Sequence, residues 1–196
     1  MKKALCFVIV FVMLFAIVLI GCEKKEEEVG ADIDTQAALQ AIYDNAKATA
    51  GEGAFFPFTM ETTISNENCE SLTGLTAEQF DEYVIDAYSL PAALNAQAFD
   101  LALIKCKDYA AAKEIKKLIA EQFNPSKRIC ATSELAFVVE SGRFVLLGGV
   151  AKDTAEFFQK AFDEQFETKT GEVNTFFEKG DEAAGEGGLG GGLILP

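Results

Sequence analysis

Four carboxylates and three thiols are the side chains of this chain whose chemistry has to be weighed first. Glu61, Asp100, Glu134 and Glu140 are acids in or beside predicted strands and loops, and two carboxylates about 5–10 Å apart in a cleft can hydrolyse a glycosidic bond. The chain holds 31 acidic residues, so a pair arises by chance, and Glu134 and Glu140 fall where solvated strand ends are expected. Cys69, Cys106 and Cys130 are the thiols of the folded region. Three cannot all pair with one another, which leaves one disulfide with a free thiol, or three reduced cysteines packed as small apolar residues; the reduced reading is preferred. A nucleophilic thiol needs a nearby cation, and Lys105 and Lys107, although they flank Cys106, point to the opposite face of its strand. There is no histidine, which removes Ser-His-Asp and Cys-His catalysis and His-ligated zinc. No catalytic residue, metal-ligand set or cofactor motif emerges.

One cysteine has a definite expected chemistry. Met1-Lys2-Lys3 is a positive start, and Ala4 to Ile20 is an unbroken apolar run of 17 residues, between the length of a signal core and that of a membrane span. The junction decides between them: Leu19-Ile20-Gly21-Cys22 resembles the lipobox of lipoprotein precursors, in which a small residue precedes a cysteine that receives a diacylglyceryl group before cleavage. The resemblance implies that residues 1–21 are a signal peptide and that Cys22 is the lipidation site. Glu23-Lys24-Lys25-Glu26-Glu27-Glu28 then reads as a solvated tether, residues 22–33, which fully extended holds the domain at most about 35 Å from the membrane. The alternative, an uncleaved transmembrane helix, also places the domain outside the cytoplasm.

Of the 17 basic residues, Lys2 and Lys3 leave with the signal, taking the formal charge from −14 to about −16. Such a surface repels nucleic acid and anionic headgroups, so no nucleic-acid partner is expected. The expected partners are the membrane, through the anchor on Cys22, and an envelope protein or wall component.

The elements that would position these residues read as follows. Asp34 caps a helix to about Ala48, with Ala38, Leu39, Ile42, Tyr43 and Ala46 on one face and Gly51 and Gly53 at its end. Ala54 to Leu72 reads as a loop packed by Phe55, Phe56 and Phe58. Thr76 and Gln79 form a capping box before a short helix, with a strand from Tyr83 to Leu90 closed by Pro91. Phe99 to Cys106 alternates as a strand, and Asp108 caps a helix whose apolar positions include Ala111, Ala112, Ile115, Leu118, Ile119 and Phe123. Leu135 to Val139 and Phe144 to Leu147 form a hairpin about Ser141-Gly142, with Glu140 and Arg143 facing each other. Asp153 and Glu156 predict a capping box for a last helix bearing Phe158, Ala161, Phe162, Gln165 and Phe166. Beyond it residues 167–196, Gly-rich from Gly185 to Gly192, read as a disordered tail.

Ala98 to Asp108 and Arg143 to Asp153 align at a spacing of 45 residues. Either a strand-strand-helix unit is duplicated, or two ordinary strand-to-helix junctions share an Asp cap. The expected fold is α+β: one domain, residues 34–166, with an antiparallel sheet of about four strands and about three helices on one face.

Leu94-Asn95-Ala96-Gln97-Ala98, the Phe99–Lys107 strand, the Tyr109–Phe123 helix and Ser141-Gly142-Arg143-Phe144-Val145-Leu146-Leu147 resemble the small bacterial lipoproteins grouped as domain of unknown function 4358. The resemblance spans residues 34–166. It implies a membrane-anchored lipoprotein on the extracytoplasmic face and transfers no functional residue. The preferred reading is thus a non-catalytic binding or interaction module. The alternatives are a carboxylate-dependent cell-wall hydrolase and, less favoured, a small solute-binding protein, whose two lobes would each need about 100 residues where only about 133 look folded.

Overall fold

Helix starts leave backbone N–H groups without intrahelical partners, and a short polar side chain just before them satisfies one or two. In the computed structural model, which describes residues 32–94, 98–127, 132–171 and 173–179, three expected caps do so. Asp34 accepts from Ala37 N–H at 2.8 Å and opens α1, Thr35–Ala50, whose buried face includes Ala38, Leu39, Ile42, Tyr43 and Ala46. A short helix α2, Cys69–Thr73, precedes Gly74. The Thr76–Gln79 box closes in both directions, at 2.9 and 3.3 Å, and opens α3, Ala77–Tyr83. Asp108 accepts from Ala111 N–H at 2.8 Å and opens α4, Tyr109–Gln122. The last helix, α5, spans Ala155–Gln165, and its start departs from the expected Asp153 box: the residue before it is Thr154, which makes no side-chain cap bond. Both the N–H and the hydroxyl of Thr154 donate to Ala151 O, at 3.0 and 2.8 Å, so a tight turn sets the helix start in place of an Asp cap.

Six strands form one antiparallel sheet: β1 Thr62–Thr63, β2 Val84–Ser89, β3 Asp100–Cys106, β4 Leu135–Ser141, β5 Phe144–Val150 and β6 Thr175–Glu178, in the order β1-β2-β3-β5-β4-β6. Among the described residues the fold is therefore α+β, with more strands and helices than expected. The expectation of helices on one face is corrected. Leu101, Leu103, Phe137, Val139 and Leu146 pack with α1 and α5 in one core, whereas Ala102, Ile104, Val138, Val145 and Leu147 pack with Cys69, Ile115 and Ile119 from α2 and α4 in a second. The physical reason lies in the strands: runs such as Leu101-Ala102-Leu103-Ile104 are apolar at every position, and a strand of that kind has to be covered on both sides.

That layering also decides the repeat. Two strand-strand-helix units occur in order, β2-β3-α4 and β4-β5-α5, and Leu101 and Leu146 share a core. Yet α4 lies in the second core and α5 in the first. A rotation that superposes the strands leaves the helices on opposite faces, so the units are not spatial copies.

Three further expectations change. Of the loop aromatics, Phe56 packs against the first core, while Phe55 and Phe58 are 57 % and 82 % exposed. Glu140 does not face Arg143: Ser141 pairs with Phe144, Arg143 occupies the turn after Gly142 (φ 56°), and Glu140 lies opposite Val145. Order does not end at Phe166, because β6 adds to the free side of β4 and the described fold runs to Lys179. The signal segment, Leu19-Ile20-Gly21, Cys22, Cys130 and the Gly-rich stretch lie outside the described residues.

Candidate functional site

The four candidate acids stand on different elements, and the strand register separates Asp100 from Glu140. Glu61 is exposed and accepts from Gln36 Nε2 at 2.5 Å. Asp100 is buried opposite Gly149 at the start of β3. Glu134 is exposed and accepts from Lys152 N–H at 3.1 Å. Glu140 stands near the far end of β4. Asp100 and Glu140 are two strands and four residues apart through Gly149 and Ala136, a Cα separation of about 16 Å. Asp100 and Glu140 are therefore not placed as the acid and base of a glycosidase.

The two described thiols are buried and unpaired with each other. Burial raises the Cys69 pKa, and its Sγ donates to Asn66 O at 3.7 Å. Burial likewise pushes the Cys106 thiol up to about 12; Asp108 adds to the shift and Arg143 opposes it. Lys105 does turn away, with Nζ donating to Ile33 O at 3.0 Å and lying 5.7 Å from the centre of the Phe144 ring. At pH 8 Cys106 is therefore held as the thiol and not as the thiolate, the form that attacks. Iodoacetamide at pH 8 should leave Cys106 unmodified in the folded chain and alkylate it after denaturation, read by peptide mass mapping. The usual thiol value is 9.0. Above it the unfolded chain sheds a proton that the folded chain keeps, so this contribution to stability is intact below pH 9 and is lost between 9 and about 12. Cys106→Ala should flatten the decline of stability with pH in that window.

A groove of about 700 Å³ lies over the outer edge of β4. Its floor is Val139, Glu140, Ser141 and Gly142; Tyr109 and Lys116 of α4 form one wall, and Phe166 to Thr170 with Val173 and Asn174 form the other. Lys116 and Glu140 make an ion pair inside it, with side chains 26 % and 19 % exposed. Lys113 Nζ lies 4.2 Å from the centre of the Tyr109 ring, a contact that steadies the ring at the groove's mouth.

The second wall is held from beneath. Phe166 caps α5, Glu167 adopts the left-handed conformation (φ 49°), and Thr168 N–H reaches back to Asp163 O at 2.9 Å. This is the hydrogen-bond arrangement that closes many helices, usually with glycine where Glu167 stands. Asp163 accepts from Thr170 N–H at 3.1 and 3.2 Å and from its hydroxyl at 2.8 Å. The buried Gln159 donates to Thr170 Oγ1 and to Gly171 O, both at 2.7 Å. Among the described residues no group of three or more Cys, Asp or Glu is arranged to hold a metal ion. Neither family models, nor curated proteins, nor solved structures match the chain.

Among the described residues weighed for chemistry, only Glu140 lines the groove. Tyr109, Lys116 and Lys169 were not legible as site residues, because each looks like an ordinary solvent-facing position within its own element.

Proposed function

We propose that the chain is a lipoprotein anchored through Cys22 on the extracytoplasmic face of the cell membrane, of the kind grouped as domain of unknown function 4358. In this reading it acts as a non-catalytic binding module that receives an envelope protein or wall component in the groove between α4 and the Phe166–Asn174 segment. The observation that carries it is the contrast at the groove: a cleft with a braced wall, in which Glu140 is held by Lys116 and no thiolate or catalytic pair is presented. The described residues share one sheet, which supports a single binding surface over two solute-clasping lobes.

Two measurements test this. The wild type should incorporate an alkyne fatty acid and fractionate with membranes, and Cys22→Ala should do neither; a Cys22→Ala chain that still carries the label refutes the anchor. A photo-crosslinking residue placed at Thr168 should form discrete adducts in growing cells, whereas the same residue at the exposed Lys47 should not. Equal adducts at both places, or release of reducing sugar from purified wall that Glu140→Gln abolishes, would refute the binding module.

A further inference from the structure

Five large apolar side chains are exposed among the described residues, and four of them, Phe55, Phe58, Met60 and Leu94, belong to two stretches that run side by side. Met60 N–H donates to Pro91 O at 3.0 Å and Ala93 N–H to Phe58 O at 2.8 Å, with Thr59 opposite Ala92. This short ribbon keeps the register of β1 with β2, where Thr62 stands opposite Ser89. Ala92 packs against the first core, so alternation turns Phe58, Met60, Pro91 and Ala93 to the other side. Phe58, Met60 and Leu94 are 82 %, 56 % and 64 % exposed. A lone exposed apolar residue is ordinary, whereas a contiguous group of them marks a surface that something covers.

The patch is uncharged as well as apolar. Residues 53–60 and 87–94 hold no acidic or basic side chain, in a chain that is 24 % charged. The next acid, Glu61, falls on the opposite side of the ribbon from Met60 and accepts from Gln36 Nε2 of α1. That contact also shows where the chain beyond the fold joins it. Ile33 packs on the first core, Asp34 caps α1, and Gln36 reaches the residue beside Met60. The expected tether from Cys22 thus meets the domain along the edge of the sheet that bears the patch. Its span of up to about 35 Å leaves slack for that edge to lie on the bilayer.

We infer that Phe55, Phe58, Met60 and Leu94 dock the domain on the membrane that holds the anchor, seated where uncharged or zwitterionic headgroups meet acyl chains. The inference rests on the lipid-anchor reading and gives the anchored domain an orientation. The anchor selects this occupant, because it makes docking an intramolecular step, and a patch too small to hold a membrane alone then suffices. Charge selects the lipid. The whole chain carries −14, so anionic headgroups oppose the approach and a neutral surface does not. A second copy of this acidic chain is disfavoured on the same ground. β4 lies four strands from β1 in the sheet order, about 19 Å across, so docking by the β1 edge holds the groove off the membrane, open to the outside.

The chain has no tryptophan, so Phe58→Trp supplies a single reporter in the full-length lipidated protein, placed in phosphatidylcholine nanodiscs. Its emission should shift to the blue and be quenched by lipids brominated on the acyl chain. The same reporter as Lys160→Trp, at an exposed place on α5, should stay solvent-like. Adding Met60→Glu to Phe58→Trp should lower the docked fraction about tenfold or more, since it brings a charge into the buried contact. Replacing about a third of the lipid with phosphatidylglycerol should lower it about threefold, and added salt should restore part of the loss. If Met60→Glu does not fold, the quenching and its dependence on lipid charge decide alone. A reporter at position 58 that stays solvent-like in protein carrying the acyl label overturns the docking and leaves the anchor standing. A chain that carries no label and leaves the membrane overturns both. Quenching that ignores Met60→Glu, or that phosphatidylglycerol strengthens, overturns the neutral-lipid contact. A blue shift that grows with protein concentration without lipid overturns the membrane in favour of a second copy, and one that needs added membrane proteins overturns it in favour of a protein partner.

Discussion

Gly148→Ala is expected to destabilise the fold by about 3 kcal/mol, and Gly148→Val to prevent folding, because the position has no room for a single methyl group. Gly148 lies in the middle of the sheet, opposite Leu101 on β3 and Phe137 on β4. A Cβ there would stand 2.2 Å from Phe137 Cε1 and 2.6 Å from Cζ. The ring crosses β5 at this point and is fully buried, so it cannot swing into solvent. Relief would have to come from its neighbours in the first core, and a packed interior resists that. Urea titration should show the midpoint falling at constant slope. The contact can be isolated by a cycle with Phe137→Leu, which removes the ring edge that collides. Alone it leaves a cavity, but combined with Gly148→Ala it should recover about 1–2 kcal/mol relative to additivity. Gly149→Ala is the contrast: its nearest neighbour is the Ser133 hydroxyl at 3.0 Å, a smaller group, so the expected cost is about 1 kcal/mol. Equal losses at the two glycines would mean that the Phe137 ring is not the cause.

The Phe137 contact also shows which parts of this fold a sequence exposes. Caps are local, and Asp34, Thr76 and Asp108 each announce a helix that is there. Asp153 looks the same and is not a cap, because the turn through Ala151 and Thr154 competes within four residues. Which face of a sheet a helix covers is non-local. The Ile115 and Ile119 stripe of α4 fits either side, and only the crossover from β3 chooses. The run Leu101-Ala102-Leu103-Ile104, apolar at every position, carries the information that both faces need covering, while the alternation beginning at Phe99 points to one face only. β6 was hidden for a different reason. Thr175-Phe176-Phe177-Glu178 is short, follows a glycine-containing turn, and is half-buried at every position, so it shows neither the alternation of a one-sided strand nor the length of a core one. The groove inherits all these difficulties. It draws its lining from three stretches distant in sequence, and the Glu140 carboxylate that stood out in the sequence contributes there as half of an ion pair.

Gly74→Ala is expected to cost about 3–4 kcal/mol, through two effects that a second substitution separates. Gly74 ends α2 with φ 81°, its N–H bonded to Glu70 O at 3.0 Å, a conformation that costs an L-residue about 1–2 kcal/mol. A Cβ would in addition lie 2.7 Å from Phe123 N, 2.8 Å from Phe123 Cα and 2.9 Å from Gln122 C. Those are backbone atoms at the end of α4, and unlike a side chain they cannot rotate aside. Asparagine tolerates the left-handed region better than alanine but carries the same Cβ. If strain dominated, Gly74→Asn would be much the milder change; because contact dominates, it should match Gly74→Ala within about 0.5 kcal/mol and share its steep loss of thermal midpoint. The damage should also travel. Phe123 closes the second core and meets Phe176 of β6 edge-on, ring centres 6.2 Å apart. Pushing the end of α4 outward therefore loosens the strand that stops at Val138 and bounds the groove. Amide exchange in a folded Gly74→Ala protein should accelerate in β6 before it does in β3 or β5, which lie between other strands. Uniform acceleration across the sheet would show that the glycine supports global stability alone and not the edge on which the groove is built.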